Sequence, residues 1–201
     1  MSNTRIKICG INDPAIAAQL VELPIDYIGL VFHPKSVRNV DMKVAEQIMQ
    51  IIRNTNIKAV AVCVKQTVAQ MQNLYEQLGI EIMQLHSEFC QQQAKFLPDN
   101  IQKIWALPID EITHLPSEVN KNDYLLFDST QPGSGAVFSA KKLPEQSQPF
   151  FIAGGLTPEN VAEKIRQFQP FGVDVSSGVE SKLGKKSIVL VKQFISEVTL
   201  C

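Results

Sequence analysis

The chain has 201 residues, 45% hydrophobic and 19% charged, and its 19 Lys+Arg against 20 Asp+Glu leave a net charge of −1 at pH 7. That balance belongs to a folded globular chain long enough to bury a full core; it offers neither the basic surplus of a nucleic-acid binder nor the charge run of a disordered tail. The longest apolar runs, such as Tyr27–Phe32 and Ala59–Val64, have six residues where a membrane helix needs roughly 20, and the N-terminus carries no signal-peptide core. A cytoplasmic protein that engages neither membrane nor nucleic acid is expected.

Arg5–Cys9 reads as the first strand. Period-2 alternation puts Ile6 and Ile8 on one face and Arg5, Lys7 and Cys9 on the other. Asp13 then caps a helix that carries Pro14 in its first turn, with Ile16 and Leu20 on one side. A second strand, Tyr27–Phe32, is followed by a helix capped by Asp41, with Val44, Ile48 and Ile52 in line. The third strand, Lys58–Val64, leads to a helix begun by Thr67 and stopped by Gly79, with Val68, Met71, Leu74 and Leu78 inward. After the fourth strand, Ile80–His86, Ser87 opens a helix that contains Phe89 and Phe96 and ends at Pro98. Strands five and six are Lys103–Leu107 and Tyr124–Ser129. The segments that follow them, Asp110–Asn120 and Ser139–Leu143, give weak helical signals. Phe150–Gly154 is the seventh strand, with a helix opened by Thr157-Pro158-Glu159. Gly172–Ser176 is the eighth, with a last helix over Lys186–Val198.

The strand starts lie 22, 31, 22, 23, 21, 26 and 22 residues apart, and each interval fits one strand, one helix and two short loops. Strands alternating with helices imply parallel pairing through right-handed crossovers. Eight such units predict an α/β chain folded as a single (β/α)8 TIM barrel over residues 1–201, with weak fifth and sixth helices.

In that architecture chemistry sits where strands end. Cys9 ends strand one, pointing inward; a strand cysteine is either core filler or reagent. Arg38, in the "HPKSVRNV" loop, is either solvated or a clamp for a carboxylate. Gln84 and His86 share a face in "QLHSE". Asp128, in "LLFDS", either caps a turn or faces the barrel mouth. Asp174, inward in "GVDVSSGVE", must find a partner such as Lys7 or a ligand hydroxyl. Gly154 and Gly155 after strand seven, with Ser177 and Gly178 after strand eight, offer bare backbone N–H groups where this fold commonly binds phosphate. "GSGAVF", Gly133–Phe138, adds a glycine loop after strand six. Cys9, Cys63, Cys90 and Cys201 form no C-x-x-C pair, and His33, His86 and His114 are far apart in sequence. No metal or cofactor is expected, and the thiols read as reduced.

The motifs "KICGI", "GLVFHPKSVR", "QLHSE", "LFDS", "FIAGGLTPENV" and "GVDVSSGVE" together resemble the phosphoribosylanthranilate isomerase family of tryptophan biosynthesis, from the first strand to the last. The resemblance implies an Amadori rearrangement of a small phosphorylated substrate by a monomer or homodimer. It implies Cys9 as general base and Asp128 as general acid. Arg38 would hold the anthranilate carboxylate, Gly154, Gly155, Ser177 and Gly178 the phosphate, with His86 and Asp174 lining the site. Val37 and Ser87 stand where the family pattern has proline and glycine, and "GSGAVF" replaces a Gly-Gly-Thr-Gly run. These departures bear on loop shape.

An ordinary thiol is about one part in thirty thiolate at pH 7, and an ordinary aspartate about one part in a thousand protonated. Asp128 therefore needs the larger correction, through burial or a neighbouring anion. Rival readings are a metal-dependent ribulose-phosphate epimerase, an indole-glycerol-phosphate synthase with strand-end lysines, and a barrel kept as an assembly partner after losing its acid or base.

Overall fold

The computed structural model describes residues 4–109, 111–112, 114–129 and 143–201. Eight parallel strands close in chain order: β1 Arg5–Cys9, β2 Tyr27–Phe32, β3 Lys58–Cys63, β4 Ile82–Leu85, β5 Gln102–Pro108, β6 Tyr124–Asp128, β7 Phe150–Ile152 and β8 Gly172–Val175. Closure is made by β8 pairing back onto β1, with Lys7 level with Asp174. Helices α1 Pro14–Leu20, α2 Met42–Ile52, α3 Val68–Leu78, α4 Glu88–Gln93, α5 Val161–Phe168 and α6 Ile188–Thr199 connect or follow the strands.

The helix starts follow from local chemistry. Asp13 accepts from the Ala15 N–H at 2.9 Å and Asp41 from the Val44 N–H at 2.8 Å. Thr67 and Gln70 form a reciprocal capping box, and Gly79 ends α3 in the left-handed conformation. Each such cap is worth about 1 kcal/mol. Two expected starts move. α5 begins at Val161, because Asn160 accepts from the Thr157 N–H at 2.9 Å and donates to the Gly155 carbonyl at 2.8 Å, which closes the stretch before it as a turn. α6 begins after Ser187, because Lys186 belongs to a short antiparallel hairpin formed by β9 Glu180–Lys182 and β10 Lys185–Lys186. Between β5 and β6 the described residues contain no α-helix. Gly133–Phe138 and 139–142 of the expected sixth helix lie outside the described residues.

The core has two layers. Ile6, Ile8, Leu30, Cys63, Leu85 and Phe127 point outward under the helices. Tyr27, Val60, Ile82, Ile104, Leu126 and Phe151 fill the barrel interior, with Tyr27 and Phe151 meeting edge to face at 5.6 Å. Burying a side chain of this size contributes about 1.5–3 kcal/mol. Two residues further along the same inward faces the chemistry changes: Leu126 gives way to Asp128 and Ile82 to Gln84, both buried. The apolar plug thus makes a floor, and the polar residues stand above it at the strands' C-terminal ends. Among the described residues no helix is long and apolar enough to cross a membrane.

Candidate active site

A cavity of about 310 Å³ opens at that end of the barrel, within the range of small-ligand sites. Cys9 from β1, Arg38 from the loop after β2, His86 after β4, Asp128 from β6 and Asp174 from β8 all line it, with Gly154, Gly155 and Ser177. Gly178 does not line it. A Cβ there would lie 1.9 Å from the Leu156 carbonyl oxygen, so glycine at 178 lets the loops after β7 and β8 touch.

Asp128 is 9% exposed. Burial, and then the charge of Asp174, push its pKa up to about 6, against the Ser129 N–H that donates to Oδ1 at 2.8 Å. Gly154 makes room for this carboxyl: its φ is +83°, and a Cβ on it would lie 2.7 Å from Asp128 Oδ1. Cys9 is a free thiol, 8% exposed. Burial raises its pKa, and the cations Lys7 and Lys186 pull the other way. Cys63 and Cys90 are buried in the outer layer, where loss of solvent pushes both thiols up. The cavity therefore selects Cys9 from the three buried thiols.

Asp174 finds the partner its inward position demands: Lys7 Nζ donates to both carboxylate oxygens at 3.0 Å. Burial opposes charge on Lys7, but Asp174 and Cys9 outweigh it and raise the amine pKa. His86 is pushed down by burial and then by Lys7, which leaves its ring neutral at pH 7. Its Nδ1 lies 3.2 Å from Gln84 Nε2, while the buried Gln84 Oε1 has no hydrogen-bond partner among the described residues.

Arg38 pairs with Glu180, Nε to Oε1 at 2.7 Å and Nη2 to Oε2 at 3.0 Å. Among the described residues its Nη1 meets no acceptor. Glu180 also accepts from Lys186 Nζ at 2.7 Å and from the Gly184 N–H at 3.0 Å. Burial alone would raise the Glu180 pKa; these donors outweigh it and hold it at about 2. Lys186 reaches on to the Ser176 carbonyl at 2.9 Å, and Ser176 Oγ donates to the Cys9 carbonyl at 3.1 Å. One network thus runs from Arg38 to the backbone of Cys9.

Sequence reasoning gave Glu180 no role, although it ends the "GVDVSSGVE" motif, and it assigned Lys186 to a helix. In the loops after β7 and β8, the Gly155 and Ser177 N–H groups donate to no protein acceptor among the described residues. That is the condition a backbone anion site requires. No group of three or more His, Cys, Asp or Glu among the described residues is arranged to hold a metal.

A closed parallel barrel that holds a carboxyl with a raised pKa and a thiol over one cavity defines an acid–base enzyme of the (β/α)8 class. The chain belongs to the N-(5'-phosphoribosyl)anthranilate isomerase family, whose pattern it matches over residues 6–197. It is 36% identical over 201 residues to the N-(5'-phosphoribosyl)anthranilate isomerase of Streptococcus mutans, covering 97% of this chain and 98% of that protein. The crystal structure of phosphoribosyl anthranilate isomerase from Thermus thermophilus superposes with a TM-score of 0.84 at 27% identity, covering 98% of this chain and 99% of that one. A phosphoribosyl anthranilate isomerase solved in complex with reduced 1-(o-carboxyphenylamino)-1-deoxyribulose 5-phosphate superposes at 0.77 with 27% identity, covering 98% and 100%.

Proposed function

We propose that the chain converts N-(5-phosphoribosyl)anthranilate into 1-(o-carboxyphenylamino)-1-deoxyribulose 5-phosphate, a step of tryptophan biosynthesis, with Asp128 as general acid and Cys9 as general base. The observation that carries this is the carboxyl at about 6 sharing one cavity with the inward thiol.

The reaction is an isomerisation, so it needs proton movement and no net electron transfer. Asp128 protonates the furanose ring oxygen; the C1–O bond breaks and the anilino nitrogen takes up the positive charge as a Schiff base. The Cys9 thiolate removes the proton on C2, giving an enolamine. A proton then leaves the C2 hydroxyl and one arrives at C1, which yields the ketone. Two groups on well-separated strands suit two proton transfers at different atoms of one sugar. Raising Asp128 to about 6 lifts its protonated fraction at pH 7 from about one part in a thousand to about one in ten.

The Nη1 edge of Arg38, which meets no acceptor among the described residues, suits a planar carboxylate, here that of anthranilate. The N–H groups of Gly155 and Ser177, with Gly154 and Gly178 shaping their loops, suit the phosphate. His86 and Asp174 line the sugar between these ends. The reading takes residues 1–201 as one domain, working in the cytoplasm as a monomer or homodimer.

The test is loss of phosphoribosylanthranilate fluorescence on adding the purified chain, with no metal or nucleotide present. Turnover is expected; a chain that leaves the signal unchanged contradicts the reading.

A further inference from the structure

Cys9 has a charged neighbour for which the reaction just described has no use. Lys7 stands two residues earlier on the same inward face of β1 and is fully shielded from solvent. It is the register partner of Asp174 on β8 and bonds both its carboxylate oxygens. A buried ion pair is seldom a gain in stability over apolar residues of the same volume, because both charges lose their water. Its presence under a reactive cavity calls for another account.

The orientation of the pair supplies one. Gly29 on β2 faces the same spot, and a Cβ there would lie 2.6 Å from Cys9 Sγ and 3.1 Å from Lys7 Nζ. Sulfur and ammonium crowd a single hollow that exists because position 29 has no side chain. The groups that act on Cys9 are Lys7, Asp174 and, from the hairpin, Lys186; those that act on Asp128 are Asp174 and Lys7. After burial, Lys7 is the foremost influence on Cys9 and Asp174 the foremost on Asp128. His86, also close to the pair, is neutral at pH 7. The ammonium thus shares the Gly29 hollow with the thiol, and the carboxylate shares the cavity lining with the acid.

We propose that Lys7 is a positioning residue for the base: moored by Asp174 and given room by Gly29, its ammonium stabilises the Cys9 sulfur anion, while Asp174 holds the proton on Asp128. The proposal rests on the acid–base reading above, but its test requires no substrate.

The test follows Cys9 alkylation by iodoacetamide against pH in a Cys201→Ser background, where Cys9 is the remaining thiol outside the outer core layer. Lys7→Met should move the midpoint up by about one pH unit or more, which slows alkylation at pH 7 about tenfold, and Lys7→Arg should recover part of that. Asp174→Asn, which frees the ammonium from its counter-ion, should move the midpoint down. Opposite directions distinguish the proposal from a loosened fold, which would move both the same way. If Lys7→Met fails to fold, the Lys7→Met/Asp174→Asn double variant, which strands no charge, replaces it with Asp174→Asn as reference; if that also fails, the direction of Asp174→Asn alone decides. An unchanged midpoint, or the same direction in both folded variants, overturns the proposal. That failure would leave the isomerase reading standing, and an absence of turnover would leave the alkylation result readable.

Discussion

The Arg38 guanidinium meets the Glu180 carboxylate edge to edge, and this bidentate contact ties the loop after β2 to the hairpin after β8. Glu180→Gln should leave Arg38 and Lys186 partly unpaired in a buried setting, at a cost of about 3 kcal/mol. It should raise KM about tenfold or more, with a smaller change in kcat, because the arginine loses the partner that aims it. The stabilisation carries a pH signature. A carboxyl held at about 2 in the fold contributes fully above its ordinary value of 4.5 and loses its contribution as pH falls from there toward 2. Urea unfolding of wild type and variant should therefore differ at pH 7 and converge near pH 2.

Asp128 carries the opposite linkage. Its folded pKa of about 6 lies above the unfolded value, so its proton stabilises the fold at low pH, and that stabilisation fades as pH rises from about 4 through 6. Asp128→Asn keeps an acceptor for the Ser129 N–H and removes the buried charge. It should be more stable than wild type at pH 8, by about 3 kcal/mol at most, with no gain below pH 4. Denaturant titrations at the two pH values check this; a variant less stable at pH 8 contradicts it.

The pH–rate profile should show an acid carboxyl with a lower pKa than the base thiol. Below about 6, Asp128 is protonated while the thiolate falls tenfold per unit of pH. Between about 6 and the raised thiol value, the thiolate gains what the acid loses, so kcat/KM should be flat. Above the thiol value, activity should fall again. A single sharp optimum near pH 5 would contradict this ordering.

Cys63 separates packing from chemistry. Cys63→Ser places a hydroxyl in an apolar layer with one weak neighbour, the Ala61 carbonyl at 3.6 Å from the present sulfur. It should lose about 1–3 kcal/mol of stability and keep near-normal kcat. Thermal melting with a parallel activity assay checks both halves.

What the residues disclosed in advance was local. The caps Asp13, Asp41, Thr67 and Ser87 bond within two or three residues, so one short window contains the whole interaction. Alternation in Arg5–Cys9 sent Lys7 and Cys9 inward and the isoleucines outward, as found. Most long-range pairing was not legible. Arg38 and Glu180 lie 142 residues apart and meet through the loops after β2 and β8. Lys7, 167 residues from Asp174, was one of two partners the inward aspartate left open, and the closure of β8 on β1 decides for it. The β9–β10 hairpin was missed because Glu180–Lys186 is short, charged and without alternation. Thr157 is a good cap by residue type, but Asn160 competes for the same turn and wins with two hydrogen bonds.

The most direct measurement is the rate of phosphoribosylanthranilate fluorescence loss with Cys9→Ser and Asp128→Asn, each first shown to unfold cooperatively. Loss of one proton-transfer group should slow turnover about 10²–10⁴-fold in each variant. A near-normal rate from either folded variant would remove that residue from the reaction and contradict the account.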